Sequence, residues 1–431
     1  MGFLDEEDSW SLSFAGTGYL ALYHFGVTHG LRQRAPRLLQ GTRRIYGSSA
    51  GALNALSIIR DKSVDYCCSN LLDMVKHLEG LSLGVFHPAY APLEYIRQRL
   101  RDSLPEDCHI LASQKLGISL THWPDGQNVI VTDFADKEEV VQALVCTLFF
   151  PFYCGTIPPE FRGERYIDGA LSNSIPFASC PSTIMVSPFN GTVDICPPST
   201  SPSLHELNAF NATFQISTLN FFLGYMSLFP PKAEVLANIC RQGYLDCLRF
   251  LEQRGLIKES VLRTLVSREW PAPVEGLQDA DHDQGFNWDV PYVWVKDVPN
   301  FEQLSPELEA ALKKACQRDP STWAHFRRSG LGQALTYLLL PWSLPFEYIY
   351  FRSRRLALWL PEAPADLLWM WGLMKSMAHE VFSRMRAGLR SEEGVHLRGW
   401  RLGMEGCAAM EQTLAAVSSG MRLQDGLDEA T

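Results

Sequence analysis

Apolar and polar residues alternate at the start of the chain. Trp10, Leu12 and Phe14 are separated by Ser11 and Ser13, the period-two pattern of a strand. Gly16-Thr17-Gly18 breaks that strand. Leu20, Tyr23, Val27 and Leu31 then recur at helical spacing, with Pro36 beyond the end. The same order returns over 43–59: a short Ile45-Tyr46 strand end, a Gly/Ser turn, then Ala52, Leu53, Leu56 and Ile59. Val129-Ile130-Val131 reads as a fully buried strand, 138–149 as a helix, and 183–186 as another buried strand. Strands alternating with helices predict an α/β sandwich around a largely parallel sheet.

Further on the pattern loosens. Residues 197–203 form a Pro/Ser loop, and 209–228 are strongly apolar. The stretch 270–286, rich in Pro, Asp and Gly, reads as a linker. The tail after Ser391 reads as weakly ordered, and no internal repeat is visible.

Composition adds exclusions. With 46% hydrophobic and 20% charged residues the chain has ample material for a core. A formal net charge of −10 argues against a general nucleic-acid binder, which needs a Lys/Arg excess to neutralise phosphates. The eleven cysteines are scattered without C-x-x-C pairs, so reduced thiols are expected rather than a disulfide frame or a zinc site. The start Met-Gly-Phe-Leu-Asp-Glu-Glu-Asp lacks the cationic and apolar parts of a secretory signal, and Glu6 breaks the myristoylation pattern. A cytoplasmic protein, or one docked on a cytosol-facing surface, is expected. The sequons at Asn190 and Asn211 then mean little.

The chemistry is concentrated in three short motifs. Gly47-Ser48-Ser49-Ala50-Gly51 is a G-x-S-x-G turn between a strand and a helix, which puts the Ser49 hydroxyl on a tight bend beside helix N-terminal amides. Gly47 and Gly51 suit a bend too close for a β-carbon. Gly16, Thr17 and Gly18 form a second strand-to-helix turn whose N–H groups suit an oxyanion hole. The competing reading, a dinucleotide loop, lacks its third glycine, since Ala21 stands there, and has no carboxylate about 20 residues on. Asp168, in Tyr166-Ile167-Asp168-Gly169-Ala170, is a candidate base; a surface Asp-Gly turn is the plain alternative. A Ser-Asp-His triad would need His24, His205 or His282, for which packing or surface roles are the default.

Together these motifs resemble the patatin-like phospholipases. The stretch 146–159, CTLFFPFYCGTIPP, is similar to the family's segment before its aspartate, and Asn173 and Pro176 match the positions just after that aspartate. The likeness is strongest to the subgroup of adiponutrin and adipose triglyceride lipase. It implies a three-layer α/β/α sandwich with a more helical C-terminal region. It also implies a catalytic dyad in which Ser49 attacks an ester carbonyl and Asp168 takes its proton, with Gly16, Thr17 and Gly18 as the oxyanion loop and Gly169-Ala170 completing the acid motif. No metal or dissociable cofactor is implied. Two departures stand out: Thr17 fills a position often Gly or Cys, and Ala21 replaces the last signature glycine. Ala21 is harmless if it already lies in the first helical turn.

The resemblance also sets expectations for organisation. It gives a catalytic core over 8–181, a helical extension packed on it over 182–269, the linker at 270–286, a lipid-droplet or interface-associated region over 287–390, and the tail at 391–431. Residues 336–350, TYLLLPWSLPFEYIY, lead into Arg352-Ser353-Arg354-Arg355 and then into Trp359, Trp369 and Trp371. No apolar run reaches the ~20 residues of a spanning helix, whereas aromatic rings beside arginines suit a lipid–water interface. Ordinary packing of a second domain is the alternative. The expected function is a triacylglycerol lipase with transacylase chemistry, peripheral on the droplet surface, acting on acylglycerols with an α/β-hydrolase-like lipase coactivator as candidate partner. Alternatives are a droplet-bound regulatory protein of weak or no activity, a phospholipase or retinyl esterase, or a histidine-triad esterase.

Overall fold

A computed structural model describes residues 9–198, 206–209, 212–257, 305–317, 329–379 and 381–383. The chain divides into two compact units, Met1–Phe351 and Arg352–Thr431. His205, His282, Asn211, the expected linker at 270–286 and the tail at 391–431 lie outside the described residues.

Seven strands form the main sheet of the first unit: β1 (Ser11–Phe14), β2 (Arg44–Ser48), β3 (Leu116–His122), β4 (Asn128–Val131), β5 (Glu160–Phe161), β6 (Glu164–Asp168) and β7 (Thr183–Val186). The run β3-β2-β1-β7 is parallel, because each crossover carries a helix. β4, β5 and β6 join it antiparallel. The helices between strands are α1 (Ala21–Arg34), α2 (Pro36–Gln40), α3 (Ala50–Ile59), α4 (Val64–Glu79), α5 (Pro92–Ser103), α6 (Cys108–Lys115) and α7 (Lys137–Thr147). A second, two-stranded sheet pairs β8 (Glu206–Ala209) with β9 (Ala212–Gln215). Then come α8 (Thr218–Leu228), α9 (Ala233–Gln253), α10 (Pro306–Cys316) and α11 (Gly330–Trp359).

The parallel strands are buried on both faces, as helix-covered strands must be. Leu12, Phe14, Leu116, Ile118 and Leu120 are fully enclosed. α1 is buried around its whole circumference from Ala21 to Leu31, because α9 packs along the side that the sheet leaves open. Helices close with ordinary caps: Ser63 Oγ accepts from the Tyr66 N–H at the start of α4, and Asp136 Oδ1 from the Glu139 N–H at the start of α7.

One expectation is corrected. Val129-Ile130-Val131 is not fully buried, since β4 hangs on one edge of β3 and leaves Val129 and Ile130 half-buried. The strand expected at 183–186 is β7, which pairs parallel with β1 at one end of the sheet. α10 lies within the stretch 287–390, and its Leu308, Ala311, Leu312 and Ala315 join the main core against α4. In the second unit the Trp359 Nε1–H donates to Asp366 Oδ2 at 2.6 Å, and residues 363–379 are helical.

Candidate active site

β3 brings the parts together. Ser48 pairs with Ser119, and the next position, Leu120, pairs with Asp168. The serine turn and the acid turn therefore leave the sheet at consecutive positions of one strand. Ser49 sits between β2 and α3 with φ 51° and ψ −129°, a region that side chains rarely enter and that costs on the order of 1–3 kcal/mol. The bend is crowded as expected: a β-carbon on Gly47 would lie 2.4 Å from the Ala52 nitrogen, and one on Gly51 2.4 Å from the Phe14 carbonyl oxygen.

The strained serine is held by its own backbone. The Ser49 N–H donates to Thr147 Oγ1 at 2.8 Å, and the Thr147 hydroxyl donates onward to the Ser119 carbonyl at 2.7 Å. The Ser49 hydroxyl donates to Asp168 Oδ2 at 2.7 Å. Asp168 Oδ1 accepts the Ala170 N–H at 2.8 Å, which fixes the carboxylate plane. Burial pushes the Asp168 carboxyl up to about 7, against the pull of the Ala170 amide and the Ser49 hydroxyl. A carboxylate whose pKa lies near neutrality is a competent proton acceptor at neutral pH.

The glycine loop meets both motifs. A β-carbon on Gly16 would lie 2.5 Å from the Ala170 β-carbon and 3.4 Å from that of Ser49. Gly16, Thr17, Gly18, Ser49 and Asp168 all line one cavity. Gly16 differs from its expected role, because its N–H already donates to the Ser174 carbonyl at 3.3 Å. Among the described residues the Thr17 and Gly18 N–H groups meet no backbone acceptor. Gly18 adopts φ +52°, and a β-carbon there would strike the Ser227 carbonyl oxygen at 2.1 Å. Ala21 begins α1 with φ −53° and ψ −22°, so its methyl group adds no backbone strain.

Among the described residues no histidine is hydrogen-bonded to Ser49 or Asp168. His24 is fully buried, its Nε2 at 2.9 Å from the Ala15 carbonyl, and burial lowers its pKa to about 4. It is a neutral imidazole that ties the end of β1 to α1. Among the described residues no group of three or more His, Cys, Asp or Glu is arranged to hold a metal ion.

The cavity measures about 300 Å³ and is walled mainly by apolar side chains, including Leu53, Leu56, Met74, Ile96 and Leu148. Its polar wall is a run of tyrosines: Tyr19 OH meets Tyr90 OH, Tyr90 OH meets Tyr153 OH at 2.8 Å, and Tyr153 OH donates to the Leu228 carbonyl at 2.8 Å. Thr147 and these tyrosines carry no motif of their own, and sequence reasoning misses them. Only the position of Thr147 and Tyr153 inside the family-like segment 146–159 hinted at a role.

The motifs agree with relatives. The Patatin-like phospholipase family model matches residues 12–180. The human protein called patatin-like phospholipase domain-containing protein 5 is 71% identical over 395 residues, covering 90% of this chain and 92% of its own length. Patatin-like phospholipase domain-containing protein 2 of Bos taurus is 38% identical over 372 residues, covering 85% and 76%. The human protein called 1-acylglycerol-3-phosphate O-acyltransferase PNPLA3 is 36% identical over 405 residues, covering 88% and 82%. Fold, motif order and near full-length identity make this chain a member of the patatin-like phospholipase family.

Proposed function

We propose that the chain is a serine lipase that cleaves acylglycerol esters, triacylglycerol first, through a Ser49–Asp168 dyad. The observation that carries the reading is the 2.7 Å hydrogen bond from Ser49 to a buried, proton-hungry carboxylate inside an apolar cavity. Ser49 Oγ attacks the ester carbonyl carbon while its proton passes to Asp168 Oδ2. The tetrahedral oxyanion is met by the Thr17 and Gly18 N–H groups, and the amide of Ala50 at the start of α3 adds its dipole. Collapse expels the alcohol, which takes the proton from Asp168, and leaves the acyl group on Ser49. Water, deprotonated by Asp168, completes hydrolysis; a second acylglycerol in place of water completes a transacylation.

The lipid surface is the expected setting. On α11, Leu331, Leu335, Leu338, Trp342, Phe346 and Ile349 recur every three to four residues and are all exposed, Trp342 at 76%. Such a stripe, followed in sequence by Arg352, Arg354 and Arg355, supports a helix lying in a lipid–water interface. Among the described residues no helix is long and apolar enough to cross a membrane.

Labelling with a fluorophosphonate tests the dyad. Wild-type protein is expected to be labelled and to release fatty acid from emulsified triacylglycerol, and Ser49→Ala to do neither. Equal labelling of both proteins would overturn the reading.

A further inference from the structure

α5 has an amphipathic sequence, Pro-Leu-Glu-Tyr-Ile-Arg-Gln-Arg-Leu-Arg-Asp-Ser, with Leu93, Ile96 and Leu100 on one side. Such a helix normally buries that side in a core. Here α5 has no buried residue, and Leu93, Ile96 and Leu100 face the cavity instead. The opposite wall is one stripe of α3: Ser49, Leu53, Leu56 and Arg60 all line the same space. α4 adds Leu71 and Met74. The cavity is thus an apolar channel along α3. Arg60 stands eleven positions after Ser49, and at ~1.5 Å per residue the channel's ends lie about 16 Å apart.

The far end is cationic. Arg60 donates to the Ser103 carbonyl at 2.8 Å, where α5 ends. Arg99 donates to Asn70 Oδ1 at 2.7 Å and lies over the Tyr95 ring at 5.7 Å. Lys62 Nζ lies over the Tyr66 ring at 4.9 Å. These contacts gather three cations where α3 ends, α4 begins and α5 closes. Among the described residues none of the three forms an ion pair. Two of the nearby acids are paired elsewhere, Asp61 with Arg32 at 3.1 Å and Asp65 with Lys314 at 2.8 Å, while Asp102 is held by the neutral Gln98 amide at 2.9 Å and forms no ion pair among the described residues.

Three cations without a counter-ion at the end of an apolar channel call for an amphiphilic anion. They do not serve the headgroup of an ester being cleaved, whose polar part stays beside Ser49, most of the channel's length away. We propose that this end of the channel binds the carboxylate of a long-chain fatty acid, with its tail running back along α3 toward Ser49. An extended chain advances ~3.4 Å per three bonds, so about 14 bonds span the channel. A fatty acid held this way occupies the space that a substrate acyl chain needs, and the product acid becomes a competitor of its own release. That last consequence rests on the lipase reading; the anion site does not.

Binding to the full-length Ser49→Ala protein tests the site without turnover. Palmitate, below its micelle concentration, is expected to bind at least tenfold tighter than hexadecanol, and octanoate to bind far more weakly than palmitate. Lys62→Gln and Arg99→Gln, which leave the Arg60–Ser103 bond in place, are each expected to weaken palmitate severalfold, and together tenfold or more, with hexadecanol unchanged. Arg99→Lys, which keeps the charge, is expected to retain most of the palmitate affinity. Equal binding of palmitate and hexadecanol, or palmitate binding indifferent to these variants, overturns the proposal. On the wild-type enzyme, palmitate is expected to raise the apparent KM for an emulsified ester, and less so in the double variant. Charge-dependent binding without that competition would leave the anion site standing and remove the channel as the substrate's acyl seat.

Discussion

Asp168 and Asp246 share one physical condition and differ in every neighbour. Both are buried, and loss of water pushes each carboxyl up to about 7. Asp246, on α9, is surrounded by donors: Tyr23 OH at 2.8 Å, Gln242 Nε2 at 2.8 Å, and the Arg249 guanidinium. Asp168 has one amide and one hydroxyl, and that hydroxyl belongs to a serine on a strained bend at the floor of a cavity. A raised pKa alone therefore marks burial. On the proposed reading, what separates the base from a structural acid is a serine hydroxyl among its partners and, among the described residues, no guanidinium.

The comparison breaks most sharply by isosteric substitution. Ser49→Ala and Asp168→Asn are each expected to cut ester turnover by about 10³-fold or more, because Asp168 is the one carboxylate among the described residues lining the cavity and Ser49 is the hydroxyl bonded to it. Asp246→Asn leaves Arg249 without its anion. It is expected to lower Tm by several degrees and to change kcat by less than about threefold. Turnover assays beside thermal denaturation check both halves. Loss of turnover in a folded Asp246→Asn protein would erase the distinction.

Titration sharpens it next. Asp168 must be deprotonated to act, so kcat/KM is expected to fall below pH ~7, approaching tenfold per pH unit and about 100-fold by pH 5. Stability runs the other way. A carboxyl whose folded pKa is raised above 3.8 favours the folded state at low pH and loses that contribution as pH rises through about 7. Asp168→Asn is thus expected to be more stable than wild type at pH 8, by a margin that shrinks to nothing near pH 4. Denaturation midpoints across that range decide it, and a margin independent of pH would contradict the assignment.

A smaller effect is expected at Thr147, whose hydroxyl accepts the Ser49 N–H and donates to Ser119. Thr147→Val keeps the shape and orphans a buried amide, a loss of ~1–3 kcal/mol in stability. Turnover is expected to drop about tenfold as the bend at Ser49 relaxes. Unchanged kcat would mean that the strain at Ser49 is maintained without this clasp.

How much the sequence announces depends on range. The turns at Gly16–Gly18, Gly47–Gly51 and Asp168–Gly169 are legible because sharp bends demand particular residue types at fixed local spacing. β3 is a strand that the apolar pattern does not announce, although it joins the strand before Ser49 to the strand that ends in Asp168. Its alternate positions, Gly117, Ser119 and Thr121, are small or polar yet buried, and their partners are distant: Ser119 donates to the Asn173 carbonyl and Thr121 to that of Asp168. Thr147 reads as an ordinary helix end until folding brings Ser49 to it. The tyrosine run is invisible for the same reason, since Tyr19, Tyr90 and Tyr153 come from three separate segments. In Val129-Ile130 the composition of a central strand is present, and only the pairing scheme makes β4 an edge.

α1 links the two aspartates and carries the smallest expected effect. Tyr23 donates from it to Asp246, while Ala21, two residues earlier, lines the cavity that Asp168 serves. Ala21 occupies the place of the last glycine in the family's loop signature, so a strained backbone there would make Ala21→Gly a gain in rate. The observed φ of −53° is helical and needs no glycine. In that conformation glycine only frees the unfolded chain, at ~0.5–1 kcal/mol. Ala21→Gly is therefore expected to lower Tm by a few degrees and to leave kcat within about twofold. A rate gain of tenfold would show that the loop next to Ser49 is held back by that methyl group, and that the oxyanion side of the site, unlike its acid side, is not yet set for catalysis.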